Sequence, residues 1–136
     1  MKDFELIFID TSPFIYIIED NKSFSAKVEE FLAESFAEEA LFVTSVITVS
    51  EFEVKPKKLN NTQALRNFRE LLEKFYFKIF DVTLEVAERS SDLRAKYDSL
   101  KLIDSLQLAI ASKFYTNDHR LKHITEIEIV TVNNET

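Results

Sequence analysis

Glycine, cysteine and tryptophan do not occur in this sequence of 136 residues, and proline appears only twice. Without cysteine there is no disulfide framework, no thiolate nucleophile and no cysteine-ligated zinc or iron–sulfur centre, so redox chemistry is disfavoured and a reducing compartment is permitted. Average glycine usage near 7% would place roughly nine or ten in this length. Their absence excludes the phosphate loops of P-loop and dinucleotide-binding proteins and the Gly-x-Ser-x-Gly elbow. Every turn must then be made by Asn, Asp, Ser or Lys, which tolerate positive φ less well. Long apolar runs are missing as well. Leu6 to Ile9 and Phe14 to Ile18 fall far short of the roughly 20 residues of a membrane-spanning helix, and Met1-Lys2-Asp3-Phe4-Glu5 has no signal-peptide character. A cytoplasmic protein with no membrane partner is expected.

What is present suits one globular domain over residues 1–136. Apolar residues make up 46%, with 13 Phe and 4 Tyr, and charged residues 30%. Seventeen basic against 24 acidic residues give a net charge of −7. On that figure a nucleic-acid partner is disfavoured, but local fields decide binding, and an acidic cluster that takes up cations reverses the local sign.

Apolar runs alternate with amphipathic ones along the chain. Phe4 to Asp10 reads as a buried strand, followed by a helix that Ser12 caps and Pro13 begins, ending near Glu19. Asp20-Asn21-Lys22 makes a turn, and Ser23 caps a second helix to about Glu39. Leu41 to Thr44 is a second strand. A helix from Val46 should stop at about Val54, before Pro56, leaving Lys55 to Asn61 as a linker. Thr62 to Tyr76 carries Leu65, Phe68, Leu72 and Phe75 at helical spacing. Phe77 to Val82 is a third strand, Thr83 opens a helix reaching Tyr97, and another helix covers Leu102 to about Ala111. Phe114 to Thr116 and Ile127 to Val132 complete five strands. The expected fold class is α/β, with a mostly parallel sheet and helices on both faces.

Residues just past the ends of parallel strands gather along one edge, where open α/β folds bind ligands. Asp10 follows LIFI, Asp118 follows FYT with one Asn between, and Asp104 opens a helix after Leu102-Ile103. Glu51 is the one charge in the twelve residues from Leu41 to Phe52. Taken singly, such a carboxylate is more often a helix cap or a turn residue than a ligand. Gathered in a desolvated place, however, the four would repel one another, and a divalent cation relieves that repulsion. An all-oxygen donor set selects Mg²⁺ or Mn²⁺, and such sites commonly serve phosphoryl chemistry.

The segments IDTSPFIYIIE, TSVITVSEF, LKLIDSLQLAIA and FYTNDHRL, in this order, resemble the four acidic motifs of the PIN-domain nucleases, in particular the VapC-type toxins of prokaryotic toxin–antitoxin pairs. The likeness spans about Phe4 to Val132. It implies a five-stranded parallel sheet, an Mg²⁺- or Mn²⁺-dependent endoribonuclease acting on RNA, a homodimer, and a cognate antitoxin protein as partner. It also implies that Asp10, Glu51, Asp104 and Asp118 are the catalytic and metal-binding acids, supported by the hydroxyls of Ser12 and Thr116. One departure stands out: only Ser112 to Tyr115 separate Ala111 from Thr116, where the family has several more residues. Either the helix ends early and the turn is very tight, or a loop has been lost, and in both cases the resemblance fixes Asp118 less firmly than Asp10 and Asp104.

Other features point less clearly. His119 and His123 stand four apart without a third ligand in the local pattern. Lys55, Lys57, Lys58, Arg66 and Arg69 form the densest basic stretch, read either as solvated helix and linker or as an RNA-contacting rim. A catalytically weak PIN-like module that binds RNA or a protein is the alternative function. A phosphotransfer domain using Asp10 as nucleophile is disfavoured, because no second acid follows two residues on.

Overall fold

The first apolar run forms β1 (Leu6–Ile9), whose side chains point alternately to the two faces of a sheet, Ile7 and Ile9 into one core and Phe8 into another. The structure is a computed structural model and describes residues 5–132. The Phe4 end of the expected strand lies outside those residues. From β1 the chain passes through α1 (Thr11–Ile18) and α2 (Ser25–Ala37) to β2 (Leu41–Ser45), then through α3 (Val46–Lys58) and α4 (Thr62–Lys74) to β3 (Lys78–Phe80). Next come α5 (Leu84–Lys96), α6 (Leu102–Leu108), β4 (Lys113–Thr116), a 3-10 turn over His119–His123, and β5 (Glu128–Thr131). The strands form one sheet in the order β3-β2-β1-β4-β5, every pairing parallel. Parallel neighbours need long crossovers, and the helices supply most of them. The α/β architecture with helices on both faces agrees with the sequence reading.

The alternation in the central strands divides the interior in two. One core joins Ile7, Ile9, Phe42 and Tyr115 to Phe14, Val28, Leu32, Phe52 and Phe68 from the first four helices. The other joins Phe8, Val43 and Phe114 to Leu93 and Leu108 from α5 and α6. Phe8 and Phe114 stack across β1 and β4 at 4.9 Å between centroids, which adds a directional term to their burial.

Helix ends show how the chain manages without glycine. Asp20, Glu39, Asn60 and Tyr76 all have φ between 51° and 65°. Each follows a helix cap, and the next residue's N–H donates back to the helix: Asn21 to Tyr16 O, Ala40 to Ser35 O, Asn61 to Pro56 O and Phe77 to Leu72 O, at 2.8–3.0 Å. These are left-handed C-terminal caps, positions where glycine is the usual occupant. A glutamate and a tyrosine at two of them go beyond the expected turn formers.

Several boundaries differ from the sequence expectations for local reasons. The first helix starts at Thr11, with Asp10 as its cap in place of Ser12; the carboxylate accepts from Thr11 N–H at 2.8 Å. Asn21 accepts from the N–H groups of Ser23 and Phe24, so the second helix begins at Ser25 with no side-chain cap of its own. The third helix continues through Pro56, whose buried ring offsets the missing hydrogen bond near the helix end, and most of the expected linker is therefore helical. The α6 helix stops at Leu108, not Ala111.

Besides the stacked rings of Phe52 and Phe68, an ion pair links α3 to α4. Glu53 is buried and receives Arg69 through Nε and Nη2, at 3.1 and 2.7 Å, and Lys57 at 3.2 Å. Burial pushes its carboxyl up, but the hydrogen bonds and charges of Arg69 and Lys57 outweigh that and hold it below its ordinary value of 4.5. A lowered folded pKa means the contribution to stability is present above the unfolded value and is lost as pH falls through the folded one. Arg69→Met is expected to cost about 1–2 kcal/mol at neutral pH in urea unfolding, and the gap should narrow in acid. A constant gap down to about pH 3 would remove the ion pair as its cause.

Candidate functional site

Parallel strands deliver their C-terminal ends to one edge, and the four sequence-selected acids meet there. Asp10 follows β1, Glu51 lies on α3, Asp104 lies in the first turn of α6 and Asp118 follows β4. All four line one open cavity of about 460 Å³, together with Ser12, Thr116, Thr11, Tyr16, Gln107 and Asn117. The early end of α6 resolves the short connection: residues 109–112 make the turn into β4, and Asp118 still reaches the cavity.

Asp10 is the most constrained of the four. Its Oδ1 accepts from Thr11 N–H at 2.8 Å and its Oδ2 from the Thr116 hydroxyl at 2.7 Å. Burial nevertheless pushes its pKa up to about 6; the two hydrogen bonds pull it down, and the charges of Glu51 and Asp104 add to the rise. Asp104 is raised too, by burial first and then by Asp118 and Glu51, against the opposing pull of Arg120 and Lys101. The carboxyls thus sense one another across the hollow.

Two more of the four are engaged by protein donors. Thr11 Oγ1 donates to Glu51 Oε1 at 2.7 Å. Arg120 grips Asp118 with two nitrogens, at 2.9 and 2.8 Å, and that bond holds Asp118 below the usual carboxylate range. Accordingly, among the described residues no three acidic or imidazole side chains converge tightly enough to cage a metal as they stand.

The supporting hydroxyls hold the frame. Thr116 Oγ1 accepts from Asp118 N–H at 3.0 Å while donating to Asp10, so one buried hydroxyl ties the first acid to the fourth. Ser12 Oγ accepts from Asn117 N–H at 3.3 Å, joining α1 to the segment after β4. Sequence reasoning missed Thr11, Tyr16, Asn117, Arg120 and Gln107. For Gln107 a signal existed: it stands one helical turn after Asp104 in an otherwise apolar stretch.

The remaining candidates fall elsewhere. His119 and His123 lie on a 3-10 turn, where positions three apart align; His123 Nδ1 bonds Arg120 O at 2.6 Å. In the basic stretch, Lys55 pairs with Glu19 at 2.7 Å, Lys57 and Arg69 with Glu53, and Arg66 bonds Gln63. Those contacts fit the solvated-helix reading. Among the described residues no basic side chain lines the cavity.

Known proteins place the architecture. The PIN-domain family model matches residues 7–127. The VapBC2 complex from Rickettsia felis, bound to a DNA fragment from its promoter, aligns with a TM-score of 0.74 at 20% identity, over 93% of this chain and 98% of that one. A toxin–antitoxin complex from Klebsiella pneumoniae aligns at 0.70 and 27% identity, over 94% and 98%. VapC20 of Mycobacterium tuberculosis, a sarcin–ricin loop cleaving toxin, aligns at 0.65 and 14%, over 90% and 98%. Among curated proteins none matches the sequence. With the family model covering most of its length and the fold and motif order in agreement, this chain belongs to the PIN-domain family.

Proposed function

We propose that this chain is a divalent-metal-dependent endoribonuclease and the toxin of a toxin–antitoxin pair, acting in the cytoplasm and neutralised by a cognate antitoxin protein. The observation that carries this reading is the meeting of Asp10, Glu51, Asp104 and Asp118 in one cavity, with Asp10 pushed up to about 6. The donor set fits a hard cation, since every side chain offered is an oxygen ligand and the crowded charges call for neutralisation. Mg²⁺ or Mn²⁺ bound there would supply positive charge to the phosphate as negative charge develops on it. Asp10 and Asp104 are the direct ligands on this reading, with Glu51 and Asp118 completing the set.

The protein's own groups do the positioning. Thr116 and the Thr11 N–H fix both oxygens of Asp10, so its orientation is set before any ligand enters. Thr11 and Arg120 hold Glu51 and Asp118 in reserve. Arg120 therefore competes with the cation for Asp118. Arg120→Gln is expected to lower the Mg²⁺ concentration for half-maximal cleavage by roughly two- to fivefold, as suits an exposed ion pair. An unchanged metal requirement would remove Arg120 from the site's control.

The deciding experiment is cleavage of a mixed RNA pool by partner-free protein in Mg²⁺, Mn²⁺ or EDTA, with Asp104→Asn alongside. Cleavage that needs metal and fails in the variant supports the proposal. No cleavage in any condition would overturn it and favour a binding module. A homodimer, as the resemblance implies, predicts a sedimentation mass near twice that of one chain.

A further inference from the structure

Gln107 is the buried polar residue for which the acids of the site give no account. It lies on α6 one turn after Asp104, is 2% exposed, and lines the cavity. Its Oε1 accepts from Thr48 Oγ1 at 2.8 Å and from Ser45 Oγ at 3.3 Å, and both of those residues are fully buried. Ser45 Oγ already accepts from Thr48 N–H at 3.3 Å, so its own proton is the one that reaches Gln107. This turns the carbonyl side of the amide toward the hydroxyls and leaves the NH₂ side facing away from them. No hydrogen bond from Nε2 to protein is found among the described residues, although an amide left dry would cost about 1–3 kcal/mol.

The rest of the lining sharpens the point. Among the described residues it holds four carboxylates and no basic side chain, so its side-chain donors are all neutral: two carboxamides and the hydroxyls of Thr11, Ser12, Tyr16 and Thr116. Thr11 Oγ1 is spent on Glu51 and Thr116 Oγ1 on Asp10. Of the two carboxamides, that of Asn117 donates to Tyr16 Oη at 2.6 Å. An amide suits this place for a physical reason: a lysine or arginine here would be captured by the carboxylates, as Arg120 is by Asp118, whereas a neutral donor leaves them free for a metal.

We propose that Gln107 is a substrate-contacting residue whose Nε2–H donates to a non-bridging oxygen of the scissile RNA phosphate. Because charge grows on that oxygen during cleavage, the bond strengthens in the transition state and acts on kcat more than on KM. The inference rests on the ribonuclease reading above.

The test uses the intact chain with Mg²⁺ and an oligoribonucleotide carrying a single phosphorothioate, in each of its two configurations, at the cleaved bond. Gln107→Met is expected to lower kcat about 10- to 100-fold with KM within about twofold. Thr48→Val breaks the same network while sparing the amide, and should cleave within about threefold of the wild type. In the wild type, one sulfur configuration should slow cleavage in a way that Mn²⁺ does not restore, because the amide and not the cation faces it. That slowing should vanish in Gln107→Met. Should Gln107→Met fail to fold, Gln107→Glu keeps the oxygen that receives Ser45 and Thr48 and must show the same loss of the sulfur effect. Identical sulfur effects in wild type and variant, or equal damage from Thr48→Val, would overturn the inference while leaving the ribonuclease reading intact. Absence of cleavage by the wild type overturns both.

Discussion

Asp10→Asn is expected to abolish RNA cleavage while making the metal-free protein more stable. The first effect should reach two to three orders of magnitude, the several kcal/mol that a bound cation contributes to phosphoryl transfer. The second follows from the raised pKa. Burial first, and then the charges of Glu51 and Asp104, bring the carboxyl to about 6 from 3.8. A carboxyl raised on folding destabilises the folded chain when ionised, so stability rises as pH falls through 6 toward 3.8. In EDTA the wild type should gain about 1 kcal/mol between about pH 7.5 and 5 from this group alone. Asp10→Asn should lose that part of the slope and sit above the wild type at neutral pH, because asparagine still caps the first helix. Urea titrations across pH measure both. A variant less stable than the wild type at pH 7.5 would mean that the hydrogen bonds from Thr116 and Thr11 outweigh burial.

Introducing glycine at the ends of α2 and α4 should stabilise the chain without touching the cavity. Glu39 and Tyr76 have φ of 65° and 54°, where a side chain crowds its own backbone, and neither lines the cavity. Glu39→Gly and Tyr76→Gly are each expected to add about 1 kcal/mol, the left-handed penalty less glycine's added freedom when unfolded. In melting temperature that is roughly 3–5 °C apiece. Alanine at the same positions keeps the Cβ and should give no gain, which separates backbone geometry from side-chain loss. Asn60→Gly should gain only a few tenths of a kcal/mol, since asparagine tolerates this region. Equal melting of the glycine and alanine variants would refute the assignment.

The order of strands and helices was legible because the chain writes its periods plainly: LIFI and LFVTS are short apolar runs, and Phe68 and Leu72 recur at helical spacing on α4. That four acids from distant segments share one cavity was legible as well, because each ends or lies beside an apolar run. Boundaries were not, because tertiary contacts override local rules. Pro56 signalled an end to α3, but its ring is buried and the helix outlasts it. Asn21 accepts the N–H groups of Ser23 and Phe24 on its side chain and that of Ser25 on its carbonyl, so the turn it builds leaves Ser23 outside the helix. Nor could the sequence reveal that Thr116 bridges Asp10 and Asp118, or that Arg120 turns back onto Asp118, since both depend on side-chain direction after folding.

The strand order has a temporal consequence. β1, made first, lies at the centre of the sheet, and its partner on one side is β4, near the other end of the chain. The hydroxyl that seats Asp10 comes from Thr116, 106 residues later. Contacts this distant in sequence are closed late, since the loop entropy must be overcome before they form. A chain made only as far as the start of β4 would hold Asp10, Glu51 and Asp104 but neither Thr116 nor Asp118, so the first acid would lack its seat until β4 joins the sheet.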